Sequence, residues 1–311
     1  MNELDVTRFD ASGAPGLPVW GWEIPVYLFL GGLAAGVMIV SALLAGRSER
    51  PSRTARLLSF AAPVLVSIGM GALLLDLEHK SHVLRFFLAF RWTSPMSWGS
   101  WILVLVYPTT LLFSLSLLDD ADVDRLRKTL ERVRLGALVR RAVSFARAHE
   151  RTLRRATLGL GIALGVYTGI LLSTLVARPL WNSALLGPLF LASGLSTGIA
   201  FLLLFAVPPA ERHLLARWDK VAMLLELGLL ALFLLGLRTN GAAGGGAAQL
   251  LLRGRFTAHF WSLVVIAGLV VPLMLELASE RLHRRMAVMA PILVLVGGYT
   301  LRWVLVSAGQ A

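Results

Sequence analysis

Apolar residues along this chain fall in long, nearly unbroken runs, not in the alternating or one-in-three pattern of a fold that turns one face to water. Eight runs are long enough to cross a hydrocarbon core of about 30 Å, which takes about 20 helical residues. They run from Glu23 to Leu44, Leu57 to Leu77, Trp98 to Leu118, Thr157 to Ala177, Leu186 to Val207, Val221 to Leu237, Phe256 to Leu277 and Met286 to Val306. The pattern predicts an all-α polytopic membrane protein with eight transmembrane helices. Between the third and fourth runs, the segment 119–155 opens on Asp119, Asp120, Asp122 and Asp124 and then turns Arg-rich. Val123, Leu126, Leu130 and Val133 recur there at helical spacing, which predicts an amphipathic loop helix lying on the membrane surface. The chain thus divides into 1–118 with three helices, the basic loop 119–155, a fourth helix and its loop over 156–185, and a second four-helix set over 186–311.

Composition agrees: 57% of the residues are hydrophobic and 15% charged, with a mean hydropathy of +0.73, outside the range of water-soluble domains. A net charge of +12 raises nucleic acid as a partner, and the placement of the charge decides the matter. Of the 30 Lys and Arg residues, 21 lie in the loops after the first, third, fifth and seventh runs, and 8 lie before the first run or in the other loops. By the positive-inside rule the basic loops are cytoplasmic and both termini periplasmic, as in a bacterial inner membrane. The charge then answers to anionic lipid, and no nucleic acid is expected. The first ten residues carry Glu3, Asp5 and Asp10 against Arg8, without the positive start of a cleaved leader, so the first run is expected to stay as an anchor.

Cysteine is absent, which excludes thiolate-held iron–sulfur clusters, zinc-thiolate sites and disulfides within this polypeptide. His149, His213 and His283 fall in the basic loops, His79 and His82 in a loop on the other side, and His259 at a helix end. None is placed to face another inside the bundle, so no membrane-embedded haem and no metal are expected. A phosphate-binding loop, a dinucleotide fingerprint and a metalloprotease motif are all missing.

Gly31–Gly36 reads GGLAAG, and 162 positions later Ser193–Gly198 reads SGLSTG. Small residues at this spacing let helix backbones approach closely. GVYTG at 165–169 and GGYTL at 297–301 form a second matched pair. Together they predict two four-helix bundles in parallel orientation, related by an internal repeat.

Ionisable groups within apolar runs are costly and mark function. Glu23, Asp76, Glu78, His79, Arg178, Arg238, His259 and Arg302 all project to the periplasmic third, with Tyr167 nearer mid-depth, an arrangement that could line a cavity. For the residues at the ends of runs, snorkelling to the interface is the plain alternative, and for Glu23, Asp76 and Arg302 it is a structural ion pair. Glu226 lies about two turns into the sixth run from the cytoplasm, where a carboxyl suits either a proton relay or a structural hydrogen bond. Glu276 is expected at the surface end of the seventh run.

Several segments, in order, resemble the polysulfide reductase membrane-subunit (NrfD/PsrC) family: WGWEIPVYLFLGGLAAG at 20–36, LLLDLE at 73–78, SPMSWGSW at 94–101, GVYTGILLS at 165–173, RPLWN at 178–182, LFLASGLSTGIA at 189–200 and HFW at 259–261. The resemblance covers nearly the whole chain apart from the basic third loop. It implies a quinone-reactive subunit of a respiratory oxidoreductase, without haem, that binds menaquinone or ubiquinone near the periplasmic face. It also implies a ferredoxin-like four-cluster iron–sulfur subunit and a molybdopterin catalytic subunit as partners. By similarity, Trp22, Glu23, Asp76 and Tyr167 fall at the quinone pocket. Quinol oxidation needs a hydrogen-bonding group for the ring oxygens and a proton acceptor, roles that suit Tyr167 and either Asp76 or Glu23. Trp22, Trp98 and Phe29 would wall the headgroup, and Glu226 and Arg302 would form a proton path. A secondary transporter and a non-catalytic anchor are the other readings open to such a sequence.

Overall fold

The computed structural model describes residues 20–47, 50–76, 93–131, 136–175, 178–277 and 286–311. All regular structure among them is helical, and eight helices have the length and composition to cross a membrane: Glu23–Ala45, Arg53–Asp76, Pro95–Leu117, Glu150–Ser173, Leu186–Leu203, Pro209–Thr239, His259–Leu277 and Val288–Ala308. They are called the first to eighth spans below.

Burial sorts the spans. The first and fifth are each 78% buried, whereas the second, sixth and seventh are each 33% buried. The two central spans are the ones carrying GGLAAG and SGLSTG, and these motifs pack on each other. A Cβ on Gly36 would overlap the carbonyl of Gly194, and one on Gly198 would overlap the backbone of Gly36. Only glycine lets two helix backbones come this close. The peripheral spans turn Val64, Ile68, Leu224, Leu225, Leu232 and Leu235 outward, as lipid-facing helices do.

In the first set, the first span packs on the second and fourth, and the third on the fourth, while the second and third barely touch. In the second set, the fifth packs on the sixth and eighth and the seventh on the eighth, while the sixth and seventh barely touch. Each set therefore has one loose seam. Much of the seventh span, His259–Val270, winds as a π-helix, and its Gly268 lies backbone to backbone against Gly297 of the eighth. Such wide turns inside membrane helices recur at functional sites.

Three elements differ from the expectation. The third loop forms two helices, Asp120–Glu131 and Gly136–Ala148, not one, and the second buries Val139, Val143 and Ala146. Its acidic start is a clasp. Asp122 takes a forked ion pair from Arg53 at 2.8 to 3.2 Å and a second from Arg125. Asp120 pairs with Arg147 and Asp119 with Arg56. The sixth span starts at Pro209, twelve residues before the apolar run: Pro, with its preset φ, suits the first helical turn, and the helix continues through the charge-rich residues 211–220 into the apolar run. A further helix, Gly241–Leu252, occupies the loop after it.

Candidate functional site

A cavity of about 590 Å³ sits between the first, second, third and fourth spans, along the loose seam between the second and third. Its lining is mostly apolar, including Ile24, Leu28, Met70, Leu103 and Leu171, with the Tyr27 and Tyr167 phenols, the Asp76 carboxyl and a few hydroxyls. Such a hydrophobic hollow of 300–1,000 Å³ with a few convergent polar groups is the usual form of a small-molecule site. Met96 and Leu74 of the lining are 58% and 41% exposed, so the hollow reaches the outer face of the bundle between the second and third spans. Toward the basic face the seam is tied by Ser67 Oγ and Tyr107 Oη, 3.0 Å apart.

Each polar group has a structural reason for its place. Tyr167 is buried in the GVYTG stretch of the fourth span, and its ring rests on Gly99 of the third, where a Cβ would overlap ring and hydroxyl. Asp76 is the last described residue of the second span. The head of the first span is fixed by the end of the eighth: Trp20 N donates to Gln310 Oε1 at 2.7 Å, and Gln310 Nε2 donates back to Trp20 O at 3.2 Å. Trp20 also stacks on Trp181, whose indole donates to Leu305 O at 2.8 Å.

Of the expected site residues, Tyr167 and Asp76 share this cavity. Glu23 lies within electrostatic reach of Asp76, yet its carboxylate folds back beside Gly21 and is not part of the lining. Trp22 and Trp98, 57% and 49% exposed, stand outside the lining, and Phe29 instead meets Tyr299 and Arg302. Glu78 and His79 lie outside the described residues. Tyr27 and Trp20 line the hollow unforeseen. Both sit inside WGWEIPVY, but an apolar run does not say which aromatic turns inward.

Behind the cavity wall lies a buried cation. Leu28 belongs to the cavity lining, and its carbonyl accepts from Arg302 Nε at 3.2 Å. Arg302 has no exposed surface; Nη1 donates to Gly298 O at 2.7 Å and Ser193 Oγ at 3.0 Å, and the guanidinium lies over Phe190. Glu226, 3% exposed, lies near the same Ser193 hydroxyl and within electrostatic reach of Arg302. Glu276, expected at the surface, is 9% exposed, and Asp219, which precedes the sixth apolar run, is fully buried with its Oδ1 taking a hydrogen bond from Ser196 Oγ at 2.7 Å. Both are buried because neighbouring spans cover them, which hydropathy along one chain does not report. Among the described residues no group of three or more His, Cys, Asp or Glu could hold a metal ion.

Eight spans, the first four of them around a laterally open hollow lined by two phenols, define a polytopic membrane protein with a candidate intramembrane small-molecule site. The family described as polysulphide reductase, NrfD, matches residues 11–311, and the chain belongs to it. It is 30% identical to a polysulfide reductase chain from Wolinella succinogenes over 94% of each sequence, and 31% identical to Protein NrfD of Escherichia coli over 94% of this sequence and 95% of that one. A putative dimethyl sulfoxide reductase membrane subunit from Halobacterium salinarum is 30% identical over 89% of this sequence and 66% of its own length.

Proposed function

We propose that the chain is the quinone-reactive membrane subunit of a respiratory oxidoreductase, working with a four-cluster iron–sulfur subunit and a molybdopterin catalytic subunit; the names of its relatives, a chain of a polysulfide reductase and a membrane subunit of a dimethyl sulfoxide reductase, support membership of a reductase complex. The observation that carries the reading is the cavity, in which Tyr167 and Asp76 meet on an apolar wall with a way out to lipid. Both termini are assigned to the periplasm and the basic loops to the cytoplasm of a bacterial inner membrane, from the distribution of Lys and Arg. The cavity then lies toward the periplasmic side.

The residues present suit a menaquinone or ubiquinone headgroup: the volume is adequate, the walls are apolar, and hydrogen-bonding groups are few and convergent. A quinol supplies two electrons and two protons when oxidised. Tyr167 donates its phenolic hydrogen bond to a ring oxygen, with Tyr27 as a second phenol on the same wall. Asp76 accepts a proton and, at the periplasmic end of its span, releases it to water, with Glu23 close enough for its charge to influence that step. Trp20, clamped by Gln310 and stacked on Trp181, closes the end of the hollow. Arg302 and Glu226, joined through Ser193 behind Leu28, are the proton path toward the cytoplasm.

The test is steady-state quinol oxidation by the whole complex carrying Tyr167→Phe or Asp76→Asn. Loss of most quinol-linked turnover, with the complex assembled, is expected for both. A non-catalytic anchor would keep full activity in both variants, and a transporter would move solute in liposomes as the lone subunit.

A further inference from the structure

The fully buried Asp219 is not used by the cavity chemistry, and its surroundings pose a problem of hydrogen-bond satisfaction. Its Oδ1 accepts from Ser196, but Oδ2 is buried with no hydrogen-bond donor among the described residues. Where the sixth and seventh spans approach, the Glu276 carboxyl on the seventh comes within interaction range of Asp219. Two ionised carboxylates are acceptors only and repel at hydrogen-bond distance, whereas a protonated carboxyl is a donor. Contact between them inside the bundle therefore requires a proton. Among the described residues, Lys220 is a cation acting on Glu276, and Glu226 is a further acid within reach of Asp219.

Position gives the pair a purpose. It bridges the sixth and seventh spans across the loose seam of the second set, at the end that holds the basic loops. Asp219 and Glu226 are seven residues, about two turns or 10 Å, apart on one face of the sixth span. Opposite them on the fifth span stand Ser196, hydrogen-bonded to Asp219, and Ser193, beside Glu226 and hydrogen-bonded to Arg302. The two serines of SGLSTG thus form rungs between a cytoplasmic carboxyl pair and the Glu226–Ser193–Arg302 group behind the cavity.

We propose that Asp219 and Glu276 share one proton and form a proton-loading site at the cytoplasmic end of the second four-helix set, feeding Glu226. A proton arriving from the cytoplasm past Glu276 converts the singly charged pair to its neutral form. Transfer of one proton to the Glu226 carboxylate restores the singly charged pair, and no other bond changes. The purpose assigned to the site rests on the quinone-linked reading, but the shared proton does not.

Infrared spectroscopy of the purified full-length chain tests the shared proton. At neutral pH the native chain is expected to show a protonated-carboxyl stretch that shifts in D2O, is lost in both Asp219→Asn and Glu276→Gln, and persists in Glu226→Gln. Spectra of both pair variants that superimpose on the native one overturn the proposal. Ser196→Ala, which removes a donor without touching either acid, is expected to move that band, giving a reading if either pair variant fails to fold. In the whole complex reconstituted in vesicles and driven toward quinone reduction, which takes up two protons per quinone, Asp219→Asn should abolish proton uptake from the cytoplasmic side. Uptake equal to native overturns the loading role. Unaltered quinol turnover in Tyr167→Phe would instead defeat the quinone reading and leave the infrared result standing.

Discussion

The phenol of Tyr167 rests directly on the Cα of Gly99, so that the third span holds the fourth span's tyrosine in place by lacking a side chain. A methyl at position 99 would overlap the ring and its hydroxyl and push the phenol out of the cavity. Misplacement of a reacting or positioning group by about 1 Å costs on the order of 100-fold in rate. Gly99→Ala is therefore expected to lower quinol turnover by roughly 10- to 100-fold while the complex still assembles. Gly71, on the same cavity wall, has nothing within 4 Å of where a Cβ would stand, and Gly71→Ala should keep most of the activity. Steady-state kinetics of the two variants side by side decide the matter, and equal turnover would remove Gly99 from any positioning role.

The crossing of the first and fifth spans makes a separate claim on stability. Gly36, Gly194 and Gly198 bring two backbones into contact in the most buried part of the bundle. Overpacking a tight core typically costs about 1–3 kcal/mol, and here the obstacle is backbone, which cannot rotate aside. Gly36→Ala should lose at least that much in reversible unfolding in mixed detergent micelles. Gly228→Ala, on a span where a Cβ meets nothing within 4 Å, should unfold at the native detergent composition.

On the cytoplasmic face the clasp between Arg53 and Asp122 sets a pH dependence. The Arg53 guanidinium beside Asp122 holds its carboxyl below the usual carboxylate range. A group whose folded value is lowered contributes fully above its unfolded value, about 3.9 for Asp. That contribution is lost as pH falls through the folded value. Spin labels on the helix Asp120–Glu131 and on the second span should hold one distance from about pH 7 down to about pH 5 and broaden only in stronger acid. In Asp122→Asn the distribution should already be broad at neutral pH. Broadening of the native chain near pH 6 would show that some other group holds the clasp.

How much of this could be read from the sequence differs by feature, for physical reasons. The eight spans were legible because crossing a bilayer demands an apolar run of fixed length, and nothing else in the chain imitates one. Close packing at GGLAAG and SGLSTG was legible from the small residues, but not that the two motifs pack on each other. Tyr167 and Asp76 stood out as polar groups in apolar surroundings. Trp20, Tyr27 and the tied Ser67–Tyr107 pair did not, since a helix buried on several sides gives no periodic signal for the cavity side. Asp219 was hidden for the opposite reason: Glu211, Arg212, Arg217 and Lys220 around it resemble a loop, yet Pro209 starts a helix there and the fifth and seventh spans cover it.

Arg302 offers a test of whether the buried cation is held by its shape or merely by its charge. Its guanidinium reaches three spans at once, through Leu28 O on the first, Ser193 Oγ and Phe190 O on the fifth, and Gly298 O on its own. The approach of Nη2 to Gly32 leaves no room for a side chain there. A lysine keeps the charge, but its ammonium is a single point on a flexible stem and cannot fill a planar fork. Hydrogen bonds to charged groups contribute about 1.5–3 kcal/mol each, so Arg302→Lys should destabilise the chain by at least that much. Because the Ser193 bond is one of those lost, Ser193→Ala and Arg302→Lys should together cost less than the sum of their separate costs, by more than roughly 0.5 kcal/mol. Strict additivity in that cycle, or a lysine variant as stable as the native chain, would mean that charge alone is what the bundle requires at this position.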